Sequence, residues 1–167
     1  MLELRIAGAD DWQIWREVRL AALAESPGAF GATLADWQGD GDKVERWRAR
    51  LSIPGARDLI AYLDGHPVGM ASGVPGEVPE TIELISMWVA PSARGHGISD
   101  LVIEEIARWS DAQGANRLVL AVKAQNLAAI RAYQRAGFSI VLTAEGVAEP
   151  DADGELTMVR PLPRAEA

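Results

Sequence analysis

The apolar residues of this chain change their spacing repeatedly, and each change marks an element. Residues 2–6 alternate apolar and polar side chains, as a half-buried strand does. Trp12, Trp15, Val18, Ala22 and Leu23 then recur at helical spacing, with Asp10 or Asp11 placed to cap the helix, and Ser26-Pro27-Gly28 ends it. Residues 29–34 read as a loop. A second helical region covers 36–51, interrupted by Gly39-Asp40-Gly41-Asp42, so its better-supported part is 43–51, with Val44, Trp47 and Leu51 aligned. Strands follow at 56–63 and 67–74, joined by the hairpin signal Asp64-Gly65. After a Pro/Gly loop, a mostly apolar run at 83–89 reads as a central strand beginning at Glu83 and stopped by Pro91.

The second half switches to longer periods. Ile98, Leu101, Val102, Ile106 and Trp109 define one face of a long helix that Gly114 ends. A strand at 117–122, a helix opened by Asn126, strands at 138–143 and 155–159, and a frayed stretch from Pro161 complete the chain. Early hairpins and late helix crossovers predict an α/β (α+β mixed) fold. Its centre is a mixed, mostly antiparallel sheet of six to seven strands flanked by about four helices. Length sets a single domain over 1–163 and a short tail at 164–167.

Composition narrows the chemistry. Zero cysteines exclude disulfides, thiolate metal sites and a cysteinyl acyl-enzyme. The two histidines, His66 and His96, are too few for a histidine zinc site, and no metal is expected. A net charge of −8 argues against general nucleic-acid binding and is compatible with a cationic substrate such as a protonated amine. No apolar run is long enough to span a bilayer and no signal-peptide pattern opens the chain, so a cytoplasmic protein is expected.

The strand at 83–89 leads through Arg94-Gly95-His96-Gly97-Ile98-Ser99 into the long helix. Strand, glycine turn and helix start aim backbone N–H groups and a positive helix end at one place, which suits a phosphate or pyrophosphate. The G-x-x-x-x-G-K-[ST] loop is absent, and Asp100 occupies the third glycine position of G-x-G-x-x-G. What remains is R-x-x-G-x-[G/A], matched by Arg94 and Gly97, with Ser99 in the last small position. That pattern after a strand ending V-x-P resembles the acetyl-CoA loop of the GNAT N-acetyltransferase superfamily. A second stretch, from Asn126 through Ala129 and Tyr133 to Gly137-Phe138, is similar to that family's later motif N-x-x-A-x-x-x-Y-x-x-x-G-F. Its local chemistry stands by itself: Asn126 caps, the alanines favour helix, and Gly137 suits the left-handed position after the last turn.

The resemblance implies acetyl-CoA as acyl donor and transfer to an amine directly in a ternary complex. It makes Tyr133 the general acid for the departing thiolate, and Glu83 a base acting through water. It assigns the backbone of Met87, Trp88 and Val89 to the pantetheine arm, the loop Arg94, Gly95, His96, Gly97, Ile98 and Ser99 to the pyrophosphate, and Asn126 to either. Plainer readings stand beside these. Tyr133 suits a core position, Glu83 an exposed strand end, Asn126 a cap alone, and His96 is a spectator in a site made of backbone. Glu25 and Asp36 are weaker candidates for the base, and Arg131 and Arg135 share a helix face beside the second motif. Trp12, Trp15 and Trp37 either line an amine pocket or fill the core. The acceptor is read as a small-molecule primary amine. A protein or peptide N-terminus is the nearest alternative, and a non-catalytic acyl-CoA sensor is the alternative outside enzymes. An edge strand near the C-terminus is a candidate surface for a homodimer.

Overall fold

The computed structural model describes residues 1–30 and 32–163; Gly31 in the expected loop and the tail at 164–167 lie outside the described residues. The strands are β1 (Leu2–Ala7), β2 (Arg57–Leu63), β3 (His66–Pro75), β4 (Thr81–Val89), β5 (Arg117–Lys123), β6 (Ser139–Ile140) and β7 (Glu155–Pro161). The helices are α1 (Trp12–Glu25), α2 (Val44–Arg50), α3 (Ile98–Ala112) and α4 (Leu127–Arg135). Together the strands make a seven-stranded sheet in the order β1-β2-β3-β4-β5-β7-β6. Only β4 and β5 pair in parallel; every other neighbour is antiparallel.

Both faces of this sheet are covered, and the side-chain alternation shows how. Leu59, Ala61, Ala71 and Val89 point into a core built with Ile98, Val102, Ile103 and Ile106 of α3 and Ile130 of α4. Their neighbours Ile60, Tyr62, Met70 and Trp88 point the other way, onto Trp15, Val18 and Ala22 of α1 and Trp47 of α2. A strand buried on both faces reads as a continuous apolar run rather than an alternating one, as residues 57–63 do. Gly73 lets α3 lie close to β3, since a Cβ there would stand 2.8 Å from the Trp109 ring.

Several local expectations differ from the structure. Asp11 occupies the position before α1 without bonding into it, and its carboxylate instead accepts the Gly8 N–H at 2.7 Å. Leu101 is exposed while Ile103 is buried, because α3 lies over the sheet with a wider apolar stripe rotated past Leu101. The strand expected at 138–143 is only Ser139–Ile140, and the chain then loops out. Pro161 is not part of a frayed tail: it ends β7 opposite Arg117. The C-terminal strand therefore sits inside the sheet, and the edge it was expected to provide belongs to two-residue β6. No helix among the described residues is long and apolar enough to cross a membrane.

Candidate active site

The site begins where β4 parts from β5. The two strands pair only from Thr81 to Glu83, against Arg117 to Val119. Beyond Glu83 the β5-facing edge of β4 has no strand partner among the described residues. The cause lies in β4 itself. Two steps along β3, from Met70 to Ser72, face three steps of β4, from Trp88 back to Ile85, which is the count of a β-bulge. Ser86 carries the irregularity in a left-handed conformation, φ +55°.

Beneath the bulge lies a polar group that sequence reading did not find. Arg50 of α2 donates to Asp58 Oδ1 at 3.0 Å, to Ser72 Oγ at 2.9 Å and to Ser86 Oγ at 3.1 Å. The Arg50 and Asp58 side chains are 14% and 4% exposed, and Ser72, fully buried, also donates to Asp58. One guanidinium thus holds three strands at the point where the sheet opens. The only sequence signal was an arginine near the end of a short amphipathic helix, which usually means a solvated face.

Two adjoining cavities occupy the opening. One, of about 250 Å³, is lined by Glu83, Leu84, Ile85, Ser86 and Met87 of β4, Leu120 and Ala121 of β5, Tyr133, Glu155, Ala29 and Phe30. The other, of about 590 Å³, runs along Met87, Trp88 and Val89 to Arg94, Gly95, Gly97, Ser99 and Asp100, and returns past Asn126, Ala129, Ala132 and Arg135 to Tyr133. Tyr133, Met87, Ala29 and Phe30 line both.

The larger cavity suits an anion at its loop end. Gly95 and Gly97 have φ of +85° and +74°, and a Cβ on either would meet nothing within 4 Å. Glycine is required there by backbone conformation, and the space in front stays open. The N–H groups of Gly95, His96, Gly97, Ile98, Ser99 and Asp100 bond to no acceptor among the described residues, and α3 begins at Ile98 with its positive end toward them. Arg94 lines the cleft with its guanidinium already engaged, bonding to the Val89 carbonyl at 3.1 Å and to both Glu25 oxygens at 3.1 and 3.2 Å. Glu25 also accepts the Trp88 indole N–H at 2.9 Å, and its bonds to Ser26, Trp88 and Arg94 hold its carboxyl below the usual range. It is a clasp between α1 and β4, ill suited to accept a proton. His96 is exposed and outside the cavity lining, while Ile98 is buried beneath the loop.

Tyr133 is positioned by the α4 caps. Asn126 Oδ1 accepts the Ala129 N–H at 3.2 Å and so starts the helix, with its own side chain still lining the larger cavity. At the other end the Phe138 N–H bonds to the Tyr133 carbonyl and the Gly137 N–H to that of Gln134, with Gly137 at φ +96°. This is the Schellman pattern, and it sets the Phe138 ring edge-on against Tyr133 at 5.7 Å. The phenol has no hydrogen-bond partner among the described residues, and burial pushes its pKa up to about 12. It stays protonated at neutral pH. Glu83 is not at the start of its strand: β4 begins at Thr81 and Glu83 is its third residue, half-buried. Burial, then the charges of Glu77 and Glu155, raise its pKa above the ordinary carboxyl range. Asp36 is bonded within its own loop to Thr33.

The tryptophans do not form an amine pocket. Trp15 is fully buried in the core, Trp37 packs on Trp47 at 4.5 Å, and neither they nor Trp12 lines either cavity. Phe30 supplies the aromatic wall instead, backed by Arg19 at 4.6 Å; burial, then Arg50, depress the Arg19 pKa to about 10.

Known proteins share this fold. The model of the "Acetyltransferase (GNAT) family" matches residues 17–138. A mycothiol acetyltransferase from Streptomyces avermitilis is 30% identical over 134 residues, 80% of this chain and 41% of that protein. Human N-acetylaspartate synthetase is 31% identical over 88 residues, 53% of this chain and 29% of that one. The chain thus spans less than half the length of these relatives. The PaiA N-acetyltransferase of Thermoplasma acidophilum, solved in complex with coenzyme A, superposes with a TM-score of 0.76 over 96% of this chain and 99% of that one, at 16% identity, which speaks to fold alone. Splayed parallel strands, a glycine loop at a helix start and a capped tyrosine helix fall within or beside the matched span, and the chain belongs to the acetyltransferase (GNAT) family.

Proposed function

We propose that this chain is an acetyl-CoA-dependent N-acetyltransferase acting on a primary amine of a small molecule, by direct transfer within a ternary complex. One observation carries the reading: Tyr133 stands between a cleft that ends in unpaired backbone N–H groups and a smaller cavity that contains Glu83. The larger cleft fits a phosphate-bearing cofactor with an extended arm. Gly95 to Ser99 would hold its phosphates, and the unpartnered edge at Met87 to Val89 would receive the arm as a further strand. When bound, acetyl-CoA supplies an acetyl thioester, whose C–S bond is exchanged for an amide C–N bond.

The chain's own part is to move protons and exclude alternatives. An amine reaches the small cavity as ammonium and must lose a proton before its nitrogen can attack. Glu83, whose burial raises its pKa and makes it a stronger base than an exposed glutamate, accepts that proton, directly or through water. Tyr133 lines both cavities as a neutral phenol, gives a proton to the departing sulfur and is restored by the proton that the nitrogen sheds as the amide forms. Two groups whose surroundings separate their roles in this way are the pattern of acid–base pairs. No cysteine is present to take the acetyl group, which favours direct transfer.

Thermal unfolding with and without acetyl-CoA tests the reading. Ligand at about a hundred times its dissociation constant adds roughly 2.7 kcal/mol, a shift of about 5–10 °C for a chain this long. Tyr133→Phe should keep that shift while thiol release in the presence of amine falls about 10²- to 10³-fold. No shift with acetyl-CoA removes the reading; a shift with undiminished turnover in Tyr133→Phe removes the role of the phenol.

A further inference from the structure

The small cavity has a charge pattern that a simple amine does not use. Its lining contains Glu83 and Glu155 and no lysine, arginine or histidine. Neither glutamate is in an ion pair among the described residues. Lys123, the residue facing Glu155 across the β5–β7 pair, directs its ammonium to the Asp153 carbonyl at 2.8 Å. Arg19 lies behind the Phe30 ring rather than in the lining. Two glutamates, each part-exposed and outside any ion pair among the described residues, share one cavity whose other lining side chains, Ser86 and Tyr133 apart, are apolar.

Their places along the sheet differ. Glu83 marks the last β4–β5 pair, opposite Val119, whereas Glu155 opens β7 opposite Lys123. The four residues from Val119 to Lys123 span about 13 Å of extended strand. Both side chains line the one cavity, and only Glu83 lies on β4, whose Met87 also lines the cofactor cleft. One ammonium at Glu83 would be consumed by the reaction. A positive charge at Glu155 would remain through the reaction and serve only recognition.

Resting on the function proposed above, we propose that the acceptor is a diamine-like molecule with two cationic groups, and that Glu155 is the residue that selects for the second. An acceptor with a carboxylate near its amine would find no cation in the lining and two glutamates to repel it. Aspartate, the moiety in the product for which human N-acetylaspartate synthetase is named, is such a molecule.

The test is calorimetric binding to the chain saturated with coenzyme A, so that it does not depend on turnover. The probes are propane-, butane- and pentane-diamine, the monoamines of matching length, and aspartate. At least one diamine should bind roughly five- to tenfold more tightly than its matching monoamine, the size expected of one partly screened ion pair. Glu155→Gln should bring that ratio close to one, with its unfolding temperature checked against the parent. Glu155→Lys should favour the monoamine over the diamine. Diamines that bind no better than monoamines, a ratio unmoved by Glu155→Gln, or tighter binding of aspartate each overturn the inference. Failure of coenzyme A itself to bind would instead overturn the function on which it rests.

Discussion

As the base proposed above, Glu83 would carry opposite obligations to stability and to chemistry. Burial and two neighbouring carboxylates raise its pKa in the folded chain, so folding disfavours its ionised form. Above both the folded and unfolded pKa values the charged glutamate costs stability, and below the ordinary value of about 4.3 the cost disappears because both states are protonated. Glu83→Gln should therefore unfold at a higher temperature than the parent at pH 7, and the gap should close as pH is lowered through about 4. The same substitution should cut kcat/KM by about 10²-fold or more and remove the acidic limb of the parent's pH profile. Calorimetric scans from pH 3.5 to 8, paired with initial rates, check both. A variant less stable at pH 7 would mean the carboxylate has a favourable partner, and the base role would lose its electrostatic support. Tyr133, by contrast, asks nothing of pH near neutrality, since its pKa of about 12 keeps it a donor throughout.

At the scale of the element, β4 decides the site. A regular strand would pair with β5 along its length and close the cleft; the bulge at Ser86 ends the pairing at Glu83. Arg50 bonds to Ser86 Oγ from α2, so the bulge is tied to the opposite face of the sheet. Ser86→Ala loses that bond and keeps a side chain at positive φ, costing about 1–2 kcal/mol, whereas Ser86→Gly loses the bond but relieves the strain and stays near the parent in stability. Both should raise KM for acetyl-CoA roughly three- to tenfold with kcat less affected. If only the destabilised variant shows the effect, the tether does not set the cleft. These features also mark the limit of what could be read from the residues. The glycine loop, the Asn126 cap and the Gly137-Phe138 turn are local, so their positions show in the sequence. The bulge arises from a mismatch between two strands, and Arg50 acts on residues 8, 22 and 36 positions away. Nothing within a window of either segment reveals it. The same reason hid only the last two residues of β7, expected at 155–159: Pro161 reads as an end signal, yet the strand runs to it because Arg117 lies opposite. Tryptophans 12, 15 and 37 left their two readings open until the sheet faces were known.

Across the whole molecule, the function proposed above would have its two substrates meet fields of opposite sign. The chain carries a net charge of −8, and the acceptor cavity adds unpaired Glu83 and Glu155 to that background. The cofactor cleft answers the same background mainly with fixed backbone dipoles and the start of α3, with Glu25 neutralised by Arg94 and with Arg135 on its wall. Backbone N–H groups act at contact distance and are screened little by salt, whereas a net charge acts at range and is screened within about 10 Å at 0.1 M. Raising salt from about 0.02 to 0.3 M should therefore act on the two substrates differently. KM for a cationic acceptor should rise several-fold as its attraction to the acidic cavity is screened. KM for acetyl-CoA, an anion approaching an acidic protein, should stay level or fall, because salt screens the long-range repulsion and leaves the contact donors in place. Initial rates with each substrate varied at saturating levels of the other give both slopes from one series. Parallel rises for the two substrates would show that the cofactor is held by exposed side-chain cations rather than by the Gly95–Ser99 backbone, and the positive end of α3 would lose its place at the centre of the site.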